Sequence, residues 1–202
     1  FFPLLESLKE ALVRTISNML GGKNIVLLSE TPKEEKKYGI TDIVVVYPAI
    51  LNDKKSLIDF LYCYAKLKLK NNYFYMDVLP YKSAINKLDG EDVLVSIGGD
   101  IFCYKNYPKY NLLHQYALKK IKHSILIGCS IEQEVLADSS LIEDLKSFEI
   151  ITAREHLTYD ALKNVGLKNV IYCPDSAFCL SMRETILPVN FLPGNTVGIN
   201  IS

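Results

Sequence analysis

The stretch DVLVSIGGD, residues 92–100, decides the fold of this chain. Its first half is a continuous apolar run, which is typical of a strand buried on both faces of a parallel sheet. Gly98, Gly99 and Asp100 follow, and they predict that the strand stops there. Glycine accepts positive φ and lets a ligand approach the backbone. The pair therefore marks either a tight turn or a binding site.

Apolar strands and amphipathic helices alternate on both sides of this stretch. Strands are predicted at 24–29, 42–48, 92–99, 124–130, 149–153 and 169–175. Helices are predicted at 6–20, 56–70, 82–88, 107–122, 141–148 and 154–166. This alternation predicts the α/β class, with a doubly wound, Rossmann-like parallel sheet covered by helices on both faces.

Four segments are less regular. Residues 31–40 are predicted to be a charged surface loop, and residues 73–81 fit either a strand or a loop. Residues 187–195 carry two prolines, a glycine and two asparagines, which is typical of a linker, and a new strand follows at 196–202. We therefore expect a Rossmann-like lobe at 1–186, then a linker and the first strand of a second lobe at 187–202. On this interpretation the sequence is a piece of a longer protein.

Composition excludes several classes of protein. The 202 residues include 23 Lys and Arg against 23 Asp and Glu, so no general attraction to nucleic acid or to anionic membranes is expected. The five cysteines form no CxxC pair and no zinc-ligand pattern, which favours reduced thiols and no metal site. No apolar run approaches the ~18 residues of a transmembrane helix, and we expect a cytoplasmic protein.

Polar residues follow four of the predicted strands. Asp100, Ser130, Arg154 with Glu155, and Asp175 each stand where an apolar strand ends. Ligands of open parallel sheets bind outside the carboxyl ends of the strands. We therefore expect these side chains to converge on one edge of the sheet, with Asp100 capping the next segment or accepting hydrogen bonds from substrate hydroxyls.

Arg154 is the most informative of these residues, since the chain has only two other arginines, Arg14 and Arg183. A guanidinium beside a helix N-terminus fits an anionic ligand, which both would attract. The alternative is an ion pair with Glu155 or another carboxylate. Asp175 fits a turn or a ligand contact equally well. Among the histidines, His114 and His123 are expected at the surface or in an interface, and His156 could approach the mouth of the site.

Five segments resemble the polysaccharide pyruvyl transferase family. In order along the chain they are IGGDIF (97–102), ILIGCSIE (125–132), ITAREHLTYDALKNVGLKNV (151–170), CPDSAF (173–178) and VGINIS (197–202). The most specific part is TAREHLTYDALKNVG followed by PDSAF. The family's glycine-containing turn after its first strand is not visible in residues 1–12.

The resemblance implies a two-lobed enzyme of the GT-B type. It implies transfer of pyruvate from phosphoenolpyruvate to sugar hydroxyls, as a ketal on an exopolysaccharide or cell-wall glycan, with no cofactor beyond this donor substrate. Arg154 and Asp100 would be catalytic. The substrate-binding residues would be Gly98, Gly99, Ser130, Glu155 and Asp175. A second lobe would supply a catalytic histidine, so the lobe alone would be inactive. Whether the protein forms a homo-oligomer is left open.

Two other functions fit the same residues. A GT-B glycosyltransferase that uses a nucleotide sugar would share the fold and the anion site. A non-catalytic glycan-binding domain would share the polar strand ends. The first would bind a nucleotide, and the second would bind sugar without turnover.

Overall fold

The computed structural model describes residues 12–19, 21, 25–37, 39–49, 57–179 and 194. Helix α1 covers residues 12–19 of this range. The other helices are α2 (Pro32–Lys37), α3 (Leu57–Lys70), α4 (Phe74–Val78), α5 (Lys82–Ile85), α6 (Tyr107–Leu118), α7 (Ser139–Lys146) and α8 (His156–Asn164). The strands are β1 (Val26–Ser29), β2 (Val45–Pro48), β3 (Val93–Phe102), β4 (His123–Ile131), β5 (Ile150–Ala153) and β6 (Val170–Tyr172). The α/β class with parallel strands is confirmed.

Strands β3 to β6 form one parallel sheet in the order in which they occur along the chain. Val93 of β3 pairs with His123 of β4, and Ile151 of β5 pairs with Val170 of β6. Each strand connects to the next through one helix, α6, α7 or α8 in turn. Because such crossovers are right-handed almost without exception, these three helices cover the same face of the sheet. The main core lies between this face and the helices, and its fully buried residues include Phe102, Leu126, Leu141, Ile151 and Leu162.

Strands β1 and β2 form a separate parallel pair, in which Val26 lies opposite Val45. Among the described residues the two sheets are not joined by a ladder of hydrogen bonds. Ala49, directly after β2, packs against Tyr81 and Ile85, so side chains connect the two parts. The reversal of strand order that defines a doubly wound sheet is therefore not seen within either sheet and stays a prediction. The predicted linker and last strand, 187–202, lie outside the described residues apart from Gly194.

The second face of the four-stranded sheet is less covered than the sequence predicts. Val93, Ile97, Ile150 and Ile171 share this face by their register and are 36% to 58% exposed. Residues on the other face, such as Leu126 and Ile151, are fully buried. Within the described residues, one face of this sheet therefore carries most of the packing.

The prediction that β3 stops at its two glycines is wrong. The strand continues to Phe102, and its register against β4 shifts between Gly99 and Phe102. A Cβ on Gly98 would lie 2.7 Å from the Cβ of Cys129 on β4, so only glycine lets the two strands approach this closely. Gly99 has a φ of 49°, a positive value that glycine adopts without strain, and the register shift begins at this residue.

Two segments that were not predicted to be helical contain helices: the predicted loop 31–40, and 73–81, which fitted either a strand or a loop. Residues 32–37 form α2, and Glu35 on this helix is fully buried, with its Oε1 accepting a hydrogen bond of 2.7 Å from the Ser29 hydroxyl. The 73–81 segment forms α4 followed by a 3-10 turn. Its buried residues Val78 and Tyr81 show the cause: packing in the interior outweighs the strand propensity of aromatic and β-branched residues.

Candidate functional site

The ends of four strands place polar side chains around Arg154. This residue directly follows β5, and its backbone N–H donates to the carbonyl of Cys129 on β4 at 3.3 Å. Hydrogen bonding between β5 and β4 therefore holds the backbone of Arg154 in place independently of the contacts that its side chain makes. Asp100 lies within the end of β3, Ser130 near the end of β4, and Asp175 three residues after β6.

The guanidinium of Arg154 contacts all three of these residues. Its Nε donates to the Ser130 hydroxyl at 2.6 Å, and its Nη1 donates to Oδ2 of Asp175 at 3.1 Å. Its Nη2 donates to Oδ1 of Asp100 in a short ion pair. Glu155 Oε2 lies 3.5 Å from Nε. The structure thus brings Asp100, Ser130, Glu155 and Asp175 together, with Arg154 as their common partner.

Glu155 is held in place by two hydroxyl groups. Ser130 donates to its Oε2 at 2.8 Å, and Thr158 donates to its Oε1 in a short hydrogen bond. Thr158 is buried on α8, and its hydroxyl also accepts from the backbone N–H of Ile131 at 2.9 Å. Thr158 was not among the predicted site residues. The only signal in the sequence is its position three residues after Glu155, the spacing at which a helix start brings two side chains together.

Acidic groups outnumber basic groups around Arg154, because the carboxyl groups of three residues face one guanidinium. Burial alone would lower the pKa of Arg154, but the charges of Asp100 and Asp175 outweigh it and raise that pKa. Arg154 therefore stays charged. Its side chain is 23% exposed, whereas that of Asp100 is 43% exposed. The carboxylate side chains of Asp100 and Glu155 are more exposed than the guanidinium, and carboxylate oxygens accept hydrogen bonds from hydroxyl groups.

The two glycines are placed differently from each other. Gly98 is buried against Cys129, so strand packing explains its lack of a side chain. Gly99 has open space where a Cβ would stand, together with its positive φ. Asp100, which follows them in the chain, contacts Arg154. A direct contact of either glycine with substrate stays a prediction.

The histidines occupy two different environments. His114, expected at the surface or in an interface, packs its ring against Phe102 and Phe148 and forms a 2.8 Å hydrogen bond with the Ser96 hydroxyl. Burial lowers the pKa of His114 to about 4. His156 begins α8 beside Arg154 and stacks on Tyr172 with ring centroids 4.2 Å apart. His156 was expected to be able to approach the site, whereas its stacking on Tyr172 was not predicted.

Two further findings concern the cysteines and the helices of the described residues. Cys63, Cys103, Cys129, Cys173 and Cys179 are all free thiols. No helix in the described part of the chain combines the length and apolar character needed to cross a bilayer.

The family comparison covers almost the whole chain. The family model described as polysaccharide pyruvyl transferase matches residues 10–197, a range that contains every residue of the Arg154 site. The chain therefore belongs to the polysaccharide pyruvyl transferase family. No curated protein and no solved structure gives a match to it.

Proposed function

We propose that this protein transfers pyruvate from phosphoenolpyruvate to two hydroxyls of a sugar, forming a ketal on a polysaccharide or cell-wall glycan precursor in the cytoplasm. The observation that supports this most is the position of the Arg154 site. Its carboxylates stand at the carboxyl ends of parallel strands, inside the part of the chain that matches the family. The proposal includes a two-lobed GT-B enzyme in which the described residues form the first lobe.

The reaction defines what the site has to supply. A proton adds to the methylene carbon of the enol, and one sugar hydroxyl attacks the neighbouring carbon. The bond from that carbon to the phosphate oxygen then breaks, and the second hydroxyl closes the ketal. The two hydroxyl protons are accounted for, because one replaces the proton delivered to the methyl group and the other leaves with the phosphate.

The carboxylates of the site suit the acceptor half of this reaction. Asp100 is the most exposed carboxylate that contacts Arg154, so it is the best placed to accept a hydrogen bond from an acceptor hydroxyl. Arg154 holds Asp100 and Asp175 in fixed positions and so reduces the freedom lost when the sugar binds. Ser130 and Glu155 fix the other side of the guanidinium.

The donor half depends on Arg154. Phosphoenolpyruvate carries a carboxylate and a phosphate, and either would bind a guanidinium through charge-assisted hydrogen bonds. Since Asp100 and Asp175 already contact Arg154, the donor would share the guanidinium or displace one carboxylate. The acid that protonates the methylene carbon is expected to be a histidine of the second lobe, as the family resemblance implies.

The test uses the full-length protein with phosphoenolpyruvate and a panel of sugar acceptors. We expect release of inorganic phosphate that depends on the acceptor, and a new ketal methyl signal in the proton NMR spectrum. Asp100→Asn should reduce turnover, and Glu143→Gln, a surface variant on α7, should not. Turnover of a nucleotide sugar instead would establish the glycosyltransferase alternative. Sugar binding without turnover of either donor would establish a glycan-binding protein.

A further inference from the structure

A second polar cluster lies apart from Arg154 and consists of Glu30, Tyr81 and Lys109. The Tyr81 hydroxyl donates to Oε1 of Glu30 in a short hydrogen bond. The Lys109 ammonium donates to the Tyr81 oxygen at 2.8 Å and to Oε1 of Glu30 at 3.3 Å. Three elements separated by 28 to 79 residues of chain thus meet at one point.

This cluster stands at the ligand-binding edge of the fold. Glu30 directly follows β1, so it lies at the carboxyl end of a parallel strand. Lys109 is in the first turn of α6, the helix that follows β3 and Asp100. The cluster is therefore the counterpart, on the β1–β2 side, of the carboxylates around Arg154.

The protonation states of the three groups fix their hydrogen-bonding roles. Burial, followed by the bond to Glu30, raises the pKa of Tyr81, so the phenol keeps its proton and donates it. Burial would lower the pKa of Lys109, but the contacts with Tyr81 and Glu30 raise it, so the amine stays an ammonium. The cluster therefore consists of a positioned carboxylate, a phenol and an ammonium.

The contacts leave one acceptor and one donor available to a ligand. Within the described part of the chain, both contacts to the Glu30 carboxylate fall on Oε1, and its side chain is 48% exposed. An ammonium has three protons, and the two oxygen contacts of Lys109 use two of them. The ammonium also lies 5.4 Å from the centroid of the Tyr110 ring, and the Lys109 side chain is 19% exposed, so the third proton has no oxygen partner within the described residues. Oε2 of Glu30 and the third proton of Lys109 can therefore bind neighbouring hydroxyls, one as acceptor and one as donor.

We propose that Glu30 and Lys109, positioned by Tyr81, form a subsite for a pair of neighbouring hydroxyls on the sugar acceptor. This inference rests on the proposed function and adds the place where a part of the acceptor away from the reacting hydroxyls is held. A phosphate group fits less well, because the Glu30 carboxylate would repel it. A metal ion fits less well, because the Lys109 ammonium would repel it.

The test compares Glu30→Gln and Lys109→Met with a matched control in the full-length protein. Glu91→Gln is the control, because Glu91 forms a 2.5 Å pair with Lys122 near the amino ends of β3 and β4, away from the ligand edge. We expect the KM for the sugar acceptor to rise roughly 10-fold to 100-fold in both cluster variants, from the loss of a charge-assisted hydrogen bond. In both cluster variants the KM for phosphoenolpyruvate should stay within about twofold of wild type. In the control variant the KM values for the acceptor and for phosphoenolpyruvate should both stay within the same range.

The outcomes separate this inference from the proposed function. If wild type forms the ketal and the acceptor KM of folded Glu30→Gln equals that of wild type, the cluster is only a structural brace and the inference is wrong. If wild type forms no ketal, the proposed function is wrong, and saturation-transfer NMR with methyl pyranosides tests the subsite directly. A transfer signal in wild type that Glu30→Gln loses would then support it. A signal absent from wild type, or unchanged in Glu30→Gln, would overturn it.

Discussion

Arg154 donates from Nη1 to Oδ2 of Asp175 at 3.1 Å, and this contact joins the start of α8 to the chain that leaves β6. The same guanidinium reaches Asp100 on β3 through Nη2. One side chain therefore connects residues that follow or end three different strands. Removing it would affect both the charge of the site and its geometry.

Replacing Arg154 tests this central position. Arg154→Ala should lower the free energy of unfolding by about 1 to 3 kcal/mol, because partly buried carboxylates lose their partner. In the full-length protein, kcat/KM for phosphoenolpyruvate should fall roughly 10-fold to several hundred-fold. Arg154→Lys keeps the charge without the planar fork, so both losses should be intermediate. Thermal melts and donor kinetics on the two variants measure these effects.

The control for this series is Lys146→Ala, which removes an exposed pair with Glu143 on α7 and should change neither quantity. A folded Arg154→Ala protein with the donor kcat/KM of wild type would show that Arg154 does not bind the donor.

Gly98→Ala tests the close approach of β3 and β4. The new methyl group would lie 2.7 Å from the Cβ of Cys129, so the strands would have to move apart. We expect a loss of about 1 to 3 kcal/mol in the free energy of unfolding, measured by urea denaturation. Gly90→Ala is the control, because its nearest neighbour would be 3.4 Å away, and it should change stability by less than about 0.5 kcal/mol. Equal stability of the two variants would argue against this packing role.

Thr158→Val tests the support beneath Glu155. Valine keeps the shape of threonine but removes the hydroxyl that accepts from the N–H of Ile131, so a buried donor loses its partner. The expected cost is about 1 to 3 kcal/mol in thermal or urea unfolding. Thr158→Ser keeps the hydroxyl and should lose only about 0.8 kcal/mol, for one buried methyl group. A valine variant as stable as the serine variant would show that the Thr158 hydroxyl does not stabilise the fold.

His114 gives the protein a defined dependence of stability on pH. Its pKa falls from the ordinary value of 6.5 to about 4 in the folded state, so the unfolded chain binds more protons between these values. Stability should therefore be complete above pH 6.5 and decline as the pH falls toward 4. The loss from this group is at most about 3 kcal/mol.

Urea denaturation at several pH values measures this effect. His114→Gln should flatten the slope between pH 6.5 and 4, and His123→Gln, which alters an exposed pair with Glu149, should leave it in place. An unchanged slope in His114→Gln would assign the acid sensitivity to other groups.

The sequence alone determined the class of fold and indicated which polar residues stand at the strand ends. Continuous apolar strands followed by amphipathic helices indicate parallel βα units, since each pattern is local and is set by burial on the two faces of a sheet. The residues that follow the strands, such as Arg154 and Asp175, could be assigned to one edge because all strands of a parallel sheet end on the same side. The motifs around Arg154 also indicated the family, which the comparison then established.

Only the tertiary structure decided which groups contact each other and why. Position 98 requires a glycine because Cys129, on the neighbouring strand, leaves no space for a side chain. Glu35 lies on a helix rather than in a loop, and in the interior its carboxylate accepts a hydrogen bond from Ser29, six residues earlier. Glu30 meets Tyr81, 51 residues later, and no local pattern marks that contact. Contacts between residues far apart in sequence depend on how whole elements pack, and that packing outweighs the local propensities that a sequence displays.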